Sequence, residues 1–266
     1  AAVGGTSLFL YSSGELSPYR SDIIITKNDI DHVITSAFEH SVYSKKSSIC
    51  AGFVTTPKGC RVGFCGEAVT ENGRVVNVKN ISSVNIRIPR EIKGCAKGIY
   101  QRIFSDGLHS LLICGPPSCG KTTVLRDLTR LLGGRYPVSL IDERSEIAAA
   151  VGGLPFNDVG SFTDVFSSYG RYEGIMTAVR VMSPRVLVCD EIGSGDDVKA
   201  LDYAAHSGVT VIATAHCGSL EKLPQKPNIA LLLERGMFEY AVQLDKGTVT
   251  AAERTDKLRC LQLQGV

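Results

Sequence analysis

The segment Leu111–Thr123, LLICGPPSCGKTT, constrains the fold of this chain more than any other stretch. An apolar run breaks into a loop with glycines and two prolines, and a lysine and two threonines then begin an amphipathic helix. The loop fits the pattern G-x4-G-K-[ST], in which backbone N–H groups and a helix N-terminus surround phosphate oxygens. Strand, loop and helix together predict a Walker A phosphate loop in a parallel α/β sheet.

The loop predicts nucleotide binding with particular roles for two side chains. Lys121 would reach the β and γ phosphates, and the Thr122 hydroxyl would ligate Mg²⁺. ATP is the expected substrate and Mg²⁺ the expected cofactor. The predicted nucleotide-binding residues are Gly115, Pro116, Pro117, Ser118, Cys119, Gly120, Lys121, Thr122 and Thr123.

The segment RVLVCDE is an apolar strand that ends in two acids, Asp190 and Glu191. An acid at the carboxyl end of a strand beside a phosphate loop can hold Mg²⁺ through water, which is the role expected for Asp190. The second acid can polarise the attacking water, which is the role expected for Glu191. The alternative is a pair of solvated acids at a strand end, but the upstream phosphate loop favours the functional interpretation.

Two further strands end in polar candidates. LIDERSE repeats the acidic pattern one strand earlier, where Glu143 could position water or metal and Asp142 could instead cap a helix start. A strand between the phosphate loop and the Asp-Glu pair is typical of the additional-strand, catalytic-glutamate ATPases. VTVIATAH ends in Thr214 and His216, where a polar residue can contact the γ-phosphate or the attacking water. A lone histidine is, however, more often a satisfied surface or core residue.

The pattern of strands and helices predicts two domains. Residues 1–92 read as a small α+β domain with strands at SLFLY, DIIIT, ICAGFVTT, CRVGFCGEAV, GRVVNVKN and VNIRIPREI, and a helix at NDIDHVITSAFEH. Residues 93–266 read as a RecA-like P-loop ATPase domain, because short apolar runs alternate with helices and a hairpin turning at Asp245–Gly247 closes the chain. A helix at EIKGCAKGIYQRIF joins the two, and a long polar, glycine-rich segment follows LIDERSE.

Composition limits the classes of function. The net charge is +2 in 266 residues and there is no tryptophan, which does not favour a dedicated nucleic-acid binder. No apolar run approaches the length of a membrane span. Nine cysteines without a CxxC pair indicate reduced thiols and a cytosolic location.

The stretch from residue 180 to residue 220 resembles the core of the secretion-type hexameric ATPases of type II and type IV secretion and pilus machines. There an arginine and a proline precede a strand that ends in an acid, an acidic helix follows, and the next strand ends in a histidine. The stretches RVGFCGEAV, CGPPSCGKTTVLRDLTRLL, LIDERSEIAA and VCDEIGSGDDVKAL more closely resemble the stage III sporulation protein AA family, across most of residues 60–220.

The resemblance implies a Mg²⁺-dependent ATPase that drives or gates a channel complex between mother cell and forespore during endospore formation. It implies a hexameric ring in the cytoplasm, peripheral to the inner membrane on the mother-cell side. Membrane proteins of the channel complex would be its partners, and no nucleic acid is expected. Carried over by position, Asp190 and Glu191 form the Walker B pair with Glu191 as catalytic glutamate, Glu143 falls in an acidic box and His216 in a histidine box.

Secretion ATPases also donate arginines from the N-terminal domain towards a neighbouring nucleotide. The candidates here are Arg61, Arg87 and Arg90, with Arg180 of similar status, although a surface arginine is the better interpretation for any one of them. The chain departs from those ATPases at Asp190, where they usually have glycine, and at Gly193, Ser194 and Gly195, where an arginine follows in them.

Two alternative functions stay open at this point. A nucleic-acid-dependent ATPase on the same core would need a basic groove with stacking aromatics, which the composition does not favour. A slow nucleotide switch would order a membrane scaffold without turnover. The presence of Glu191 argues against a site that never hydrolyses.

Overall fold

The structure is a computed structural model that describes residues 8–12, 15–20, 24–39, 50, 52–56, 60–87, 91–150 and 153–256. Contacts within the chain divide it into two units, residues 1–90 and residues 91–266. The domain boundary expected between residues 92 and 93 stays a prediction. Within the described ranges, no helix combines the length and the apolarity that crossing a bilayer requires.

In its described part, the N-terminal unit combines antiparallel strand pairs with a helix at Lys27–Glu39. Ala37 of the helix packs with Val54 and Val62 of the larger sheet, and Phe38 borders this small core. The elements are β1 (Leu8–Ser12) paired with β2 (Glu15–Arg20), then α1 (Lys27–Glu39), and a sheet in the order β3 (Phe53–Thr55), β4 (Arg61–Glu71), β5 (Arg74–Arg87).

Two strand predictions in this unit are wrong. Residues 24–26, the described part of DIIIT, contain no strand, because Thr26 and Asp29 exchange hydrogen bonds that cap the start of α1. GRVVNVKN and VNIRI form one 14-residue strand, β5, instead of two. Asn80 has a φ of 49°, and a register shift opposite it lets β5 continue along β4.

The C-terminal unit is built on a seven-stranded sheet in the order β12-β11-β6-β10-β9-β7-β8. All neighbouring strands are parallel except the β11–β12 hairpin, which turns where the sequence predicts. The strands are β6 (Leu111–Gly115), β7 (Val138–Asp142), β8 (Thr163–Ser167), β9 (Val186–Cys189), β10 (Thr210–His216), β11 (Tyr240–Asp245) and β12 (Thr248–Arg254).

Helices cover both faces of this sheet. Successive residues of a strand point to opposite faces, so Leu111 and Ile113 of β6 lie in one apolar core while Leu112 and Cys114 lie in the other. The helices are α2 (Lys97–Ile103), α3 (Lys121–Gly133), α4 (Arg171–Met182), α5 (Gly195–His206), a 3₁₀ helix (Leu220–Gln225) and α6 (Pro227–Glu234).

Two sequence predictions for this unit need correction. The helix predicted from residue 91 begins only at Lys97, because Gly94 adopts a φ of 88° and the Asp127 carboxylate accepts the Ala96 N–H. The polar segment after LIDERSE contains strand β8, whose half-exposed residues give no continuous apolar run, and helix α4 follows it.

The strand inserted between the phosphate-loop strand and the Asp-Glu strand is β10. The chain order suggests β7 for that place, but β7 lies on the far side of β9. In a parallel sheet the carboxyl ends of all strands meet at one edge. The loop after β6, His216, the Asp-Glu pair and the LIDERSE acids therefore gather at the same edge.

His109, just before β6, lies between two carboxylates. Its Nδ1 is 2.8 Å from Glu239 Oε2 and its Nε2 is 3.1 Å from Asp106 Oδ1. Both ring nitrogens donate a hydrogen bond only in the protonated imidazolium. The hydrogen bond to Glu239, and secondly the one to Asp106, raise the pKa of His109, whereas partial burial opposes the rise.

A raised folded-state pKa makes a pH-dependent contribution to stability. The contribution is complete below the unfolded-state pKa of about 6.5 and is lost as pH rises through the folded-state value. We expect His109→Gln to lower the free energy of unfolding by about 1 kcal/mol at pH 5.5, and by less at pH 8.5. Urea unfolding at both pH values measures this, with His206→Gln, a 78% exposed side chain, as control. An equal loss at both pH values would contradict the assignment.

Candidate functional site

The loop between β6 and α3 has the backbone shape that a phosphate cradle requires. Strand β6 is fully buried and ends at Gly115, and α3 begins at Lys121. Ser118 and Gly120 have φ values of 59° and 96°, so the chain turns sharply before the helix starts. The N-terminus of α3 therefore follows directly on a curled loop, the arrangement that binds anions in phosphate-loop proteins.

The β11–β12 hairpin packs directly on this loop. The Gly247 N–H donates to the Cys119 carbonyl at 2.7 Å. A Cβ atom on Gly120 would lie 3.1 Å from the Gly247 Cα, and one on Gly115 would lie 2.5 Å from the Leu244 carbonyl oxygen. The two glycines of the motif are therefore needed for the approach of the hairpin as well as for the curvature of the loop.

Lys121 is folded back onto its own loop and is only 5% exposed. Its Nζ donates to the carbonyl oxygens of Gly115 at 3.0 Å and Pro116 at 2.8 Å, and it lies 3.1 Å from His216 Nδ1. An ammonium group can only donate, so this contact assigns Nδ1 as acceptor and places the imidazole proton on Nε2. A phosphate that takes the ammonium must compete with these three contacts.

Thr122 and Asp190 meet across the gap between α3 and the end of β9. The Thr122 hydroxyl donates to Asp190 Oδ2 at 2.7 Å. Thr214, on the intervening strand β10, donates its hydroxyl proton to Asp190 Oδ1 and accepts the Glu191 N–H at 2.9 Å. A hydroxyl and a carboxylate oxygen this close are the hard ligands that Mg²⁺ takes beside phosphate oxygens and water.

Glu191 is held at both carboxylate oxygens. His216 Nε2 lies 3.0 Å from Oε1, and Arg144 Nη1 lies 2.7 Å from Oε2. The backbone of Glu191 has a φ of 54°, an uncommon value for a residue other than glycine, which places its side chain at the cleft. Lys121, His216, Glu191 and Arg144 thus form one continuous line of contacts.

The LIDERSE acids have different surroundings. The Asp142 carboxylate accepts the N–H groups of residues 146–148, so it caps a turn, where the sequence suggested a helix start. Burial raises the pKa of Asp142 and outweighs these hydrogen bonds. Glu143 forms an ion pair with Arg171 at 3.0 Å, and Arg171 also bonds both oxygens of Asp197.

Arg144 and Arg171 are site residues that sequence reasoning missed. Both line the cleft that Glu143, Asp190 and Glu191 border. Neither lies at a spacing that marks a motif, because Arg144 is one charge among several in LIDERSE and Arg171 opens a helix that the apolar pattern did not predict. Their only sequence signal is a positive charge near predicted acids.

Three of the four candidate trans arginines lie among the described residues. The Arg61 guanidinium stacks 3.6 Å from the centroid of the Phe53 ring. Arg87 is exposed on β5, and Arg90 lies outside the described residues. Arg180 is exposed on α4 and donates to the Met176 carbonyl at 3.1 Å. A role for any of them across a subunit boundary stays a prediction.

Comparison with known proteins identifies relatives of the whole chain. A family model described as "Sporulation stage III, protein AA" matches residues 8–254. The chain is 38% identical to "Stage III sporulation protein AA" of Bacillus subtilis (strain 168) over 240 residues, which cover 87% of this chain and 78% of that protein.

Solved structures of two ATPases share the fold. The ATPase DotB of Legionella pneumophila superposes with a TM-score of 0.58 at 13% identity, covering 98% of this chain and 78% of its own. The pilus retraction motor PilT with bound ADP gives 0.62 at 14% identity, covering 98% and 81%. These likenesses confirm the predicted fold class, a RecA-like P-loop α/β domain preceded by a smaller α+β domain.

The packing of the hairpin on the phosphate loop predicts an indirect effect on nucleotide affinity. Gly247 has a φ of 78°, where any side chain costs roughly 1 kcal/mol. We expect Gly247→Ala to weaken ATP binding by about fivefold, because strain in the turn disturbs its bond to Cys119. Isothermal titration with ATP and Mg²⁺ measures the dissociation constant.

Gly73→Ala is the matched control for this effect. Gly73 occupies the β4–β5 turn with a φ of 74°, and like Gly247 it has no heavy atom within 4 Å of an added Cβ. It should cost similar stability but leave ATP affinity unchanged. Equal effects of the two substitutions on affinity, or none from Gly247→Ala, would contradict the hairpin's role.

Proposed function

The chain belongs to the sporulation stage III protein AA family, and we propose that it is a Mg²⁺-dependent ATPase whose hydrolysis drives or gates a channel complex between mother cell and forespore. One observation carries the enzymatic part of the proposal. Thr122 at the start of α3 and Asp190 at the end of β9 lie in direct hydrogen-bond contact, with Glu191 beside them in the same cleft. The proposed phosphate-binding loop, the two proposed Mg²⁺ ligands and the candidate base therefore lie at one edge of the sheet.

The proposed roles follow from the atoms that face the cleft. The backbone N–H groups of residues 118–123 bind the phosphates, and the Lys121 ammonium turns from its own loop carbonyls to the β and γ phosphates. Thr122 and Asp190 would hold Mg²⁺, which supplies charge neutralisation at these phosphates when bound. Glu191 orients the attacking water and accepts its proton, and the Nε2 proton of His216 helps to orient the Glu191 carboxylate.

Glu143 has a more indirect proposed role than the sequence suggests. Its ion pair with Arg171 links it to Asp197, which accepts the N–H groups of Gly193 and Ser194. This link fixes the loop that follows Glu191. We therefore assign Glu143 to the support of the site and not to direct contact with water.

Assembly and location are proposed from the family and from the fold. A homo-oligomeric ring, hexameric as the resemblance to secretion ATPases implies, would place each site beside a neighbouring copy, where Arg61, Arg87, Arg90 or Arg180 supplies a charge in trans. The ring would lie in the cytoplasm, peripheral to the inner membrane on the mother-cell side. Membrane proteins of the channel complex would be its partners, with no nucleic acid involved.

One observation favours the slow nucleotide switch as a second candidate. Both oxygens of Glu191 have protein donors, and Lys121 is tied to its loop. A site that rests in this arrangement would turn over slowly and could signal by nucleotide occupancy. The two candidates differ in whether subunit assembly or a membrane partner raises the rate of hydrolysis.

The first experiment measures ATP hydrolysis per subunit against protein concentration, with and without Mg²⁺. We expect slow turnover that rises as subunits assemble and disappears without Mg²⁺. Lys121→Ala should abolish nucleotide binding and hydrolysis. Glu191→Gln should reduce the rate by a factor of about 100 or more while ATP still binds, because only the candidate base is lost.

The outcome separates the two candidates. A rate that climbs with concentration supports a ring with sites shared between neighbours. ATP binding without hydrolysis at any concentration would exclude the motor for the isolated protein and favour the switch. Hydrolysis that survives Glu191→Gln would show that another group activates the water.

A further inference from the structure

Arg144 closes the cleft over the proposed catalytic base. Its Nη1 lies 2.7 Å from Glu191 Oε2, while His216 Nε2 takes the other oxygen at 3.0 Å. A glutamate that orients a water molecule must turn an oxygen towards it, within hydrogen-bond distance. In the arrangement seen here the water would have to compete with a guanidinium for that oxygen.

The backbone that carries Arg144 is fixed from two sides. Asp142 accepts the N–H groups of residues 146–148, and the Arg126 guanidinium donates to two carbonyl oxygens of the same turn. The Arg144 side chain, in contrast, is 63% exposed, whereas Glu191 is 25% exposed. Arg144 can therefore leave Glu191 by a change of side-chain rotamer, without refolding of the turn.

The ion pair lies at one end of a line of contacts that begins at the phosphate loop. Lys121 contacts His216 Nδ1, His216 contacts Glu191, and Glu191 contacts Arg144. A phosphate group that captures Lys121 removes the donor from His216 Nδ1. The contacts of the histidine, and with them the position of the carboxylate, then depend on nucleotide.

We propose that Arg144 is a latch residue, which holds Glu191 through this ion pair and releases it when ATP binds. The inference rests on the proposed function for the role of Glu191. It makes Arg144 a positioning residue that acts through Glu191 and does not contact the nucleotide. ATP binding must then include the cost of separating one partly exposed ion pair.

The test compares nucleotide affinities, which do not require turnover. We expect Arg144→Ala to bind adenylyl imidodiphosphate, a non-hydrolysable ATP analogue, with Mg²⁺ about two- to fivefold more tightly than the unmodified chain. Loss of a positive charge near a phosphate site would by itself weaken binding, so the direction is diagnostic. In a Glu191→Gln background, Arg144→Ala should no longer tighten binding, because the ion pair is already gone and only the loss of positive charge remains.

Arg235→Ala is the matched control. Arg235 Nη1 lies 2.9 Å from Asp202 Oδ2, and the two side chains are 44% and 27% exposed, so the substitution removes a comparable arginine–carboxylate pair away from the cleft. It should leave nucleotide affinity unchanged. Thermal unfolding of each variant confirms that the folded protein is being measured. Arg144→Lys keeps the positive charge but lacks the forked guanidinium donors, and it should give an intermediate affinity.

The latch is overturned if Arg144→Ala weakens binding or leaves it unchanged, or if the tightening persists in the Glu191→Gln background. Weaker binding would indicate instead that the positive charge of Arg144 attracts the phosphates. Failure of the proposed function is read separately, from the absence of ATP hydrolysis by the unmodified chain. In either case, the ratio of analogue affinities between Arg144→Ala and the unmodified chain decides whether Arg144 acts as a latch.

Discussion

The position of β10 between β6 and β9 is the constraint on which the rest of the site depends. Strands in a sheet lie about 4.8 Å apart, so the inserted strand separates the phosphate loop from the Asp-Glu pair by about two such spacings. Thr214 of β10 spans part of that gap by bonding both Asp190 and the Glu191 backbone. The polar end of β10 therefore determines where Asp190 and Glu191, the proposed metal ligand and base, lie relative to the phosphate loop.

The phosphate loop is shaped by its surroundings as well as by its own sequence. The glycines of the loop permit its turn, and the β11–β12 hairpin imposes a second requirement. A side chain at Gly115 would collide with the Leu244 backbone, and one at Gly120 would crowd Gly247. A motif that looks local is thus maintained by a contact more than 100 residues away in the chain. The C-terminal hairpin belongs to the nucleotide site in this physical sense, although it contributes no predicted ligand.

The sequence predicted the buried strands correctly, because their apolar runs have only one local interpretation. The apolar runs predicted β6, β7, β9 and β10, since strands buried on both faces need continuous apolar residues. Sequence reasoning failed at the edge strand β8, where half-exposed positions remove that signal. It also failed at β5, where a positive-φ asparagine lies inside one strand that was predicted as two. Helix α2 was predicted too long because Gly94 and the Asp127 cap act through tertiary contacts.

Arginine placement was the part of the site that the sequence could not reveal. A long, flexible side chain reaches partners several residues or several strands away, so its position in the chain says little about what it touches. Arg171 reaches Glu143 and Asp197 together, and Arg144 reaches Glu191 across the gap between β7 and β9. The acids were predictable because strand ends fix them, whereas their cationic partners depend on where the loops between strands fold.

The charged groups of the site pair with one another, and this has a consequence for the proposed catalysis. Lys121 has carbonyl acceptors, Asp190 has two hydroxyl donors, and Glu191 has an imidazole and a guanidinium. Such internal pairing avoids the cost of leaving buried charges without partners, but each pair must be exchanged before the same groups can serve ATP. In the proposed ATPase, binding energy from the phosphates would be spent partly on rearranging the site, and hydrolytic competence would be coupled to occupancy.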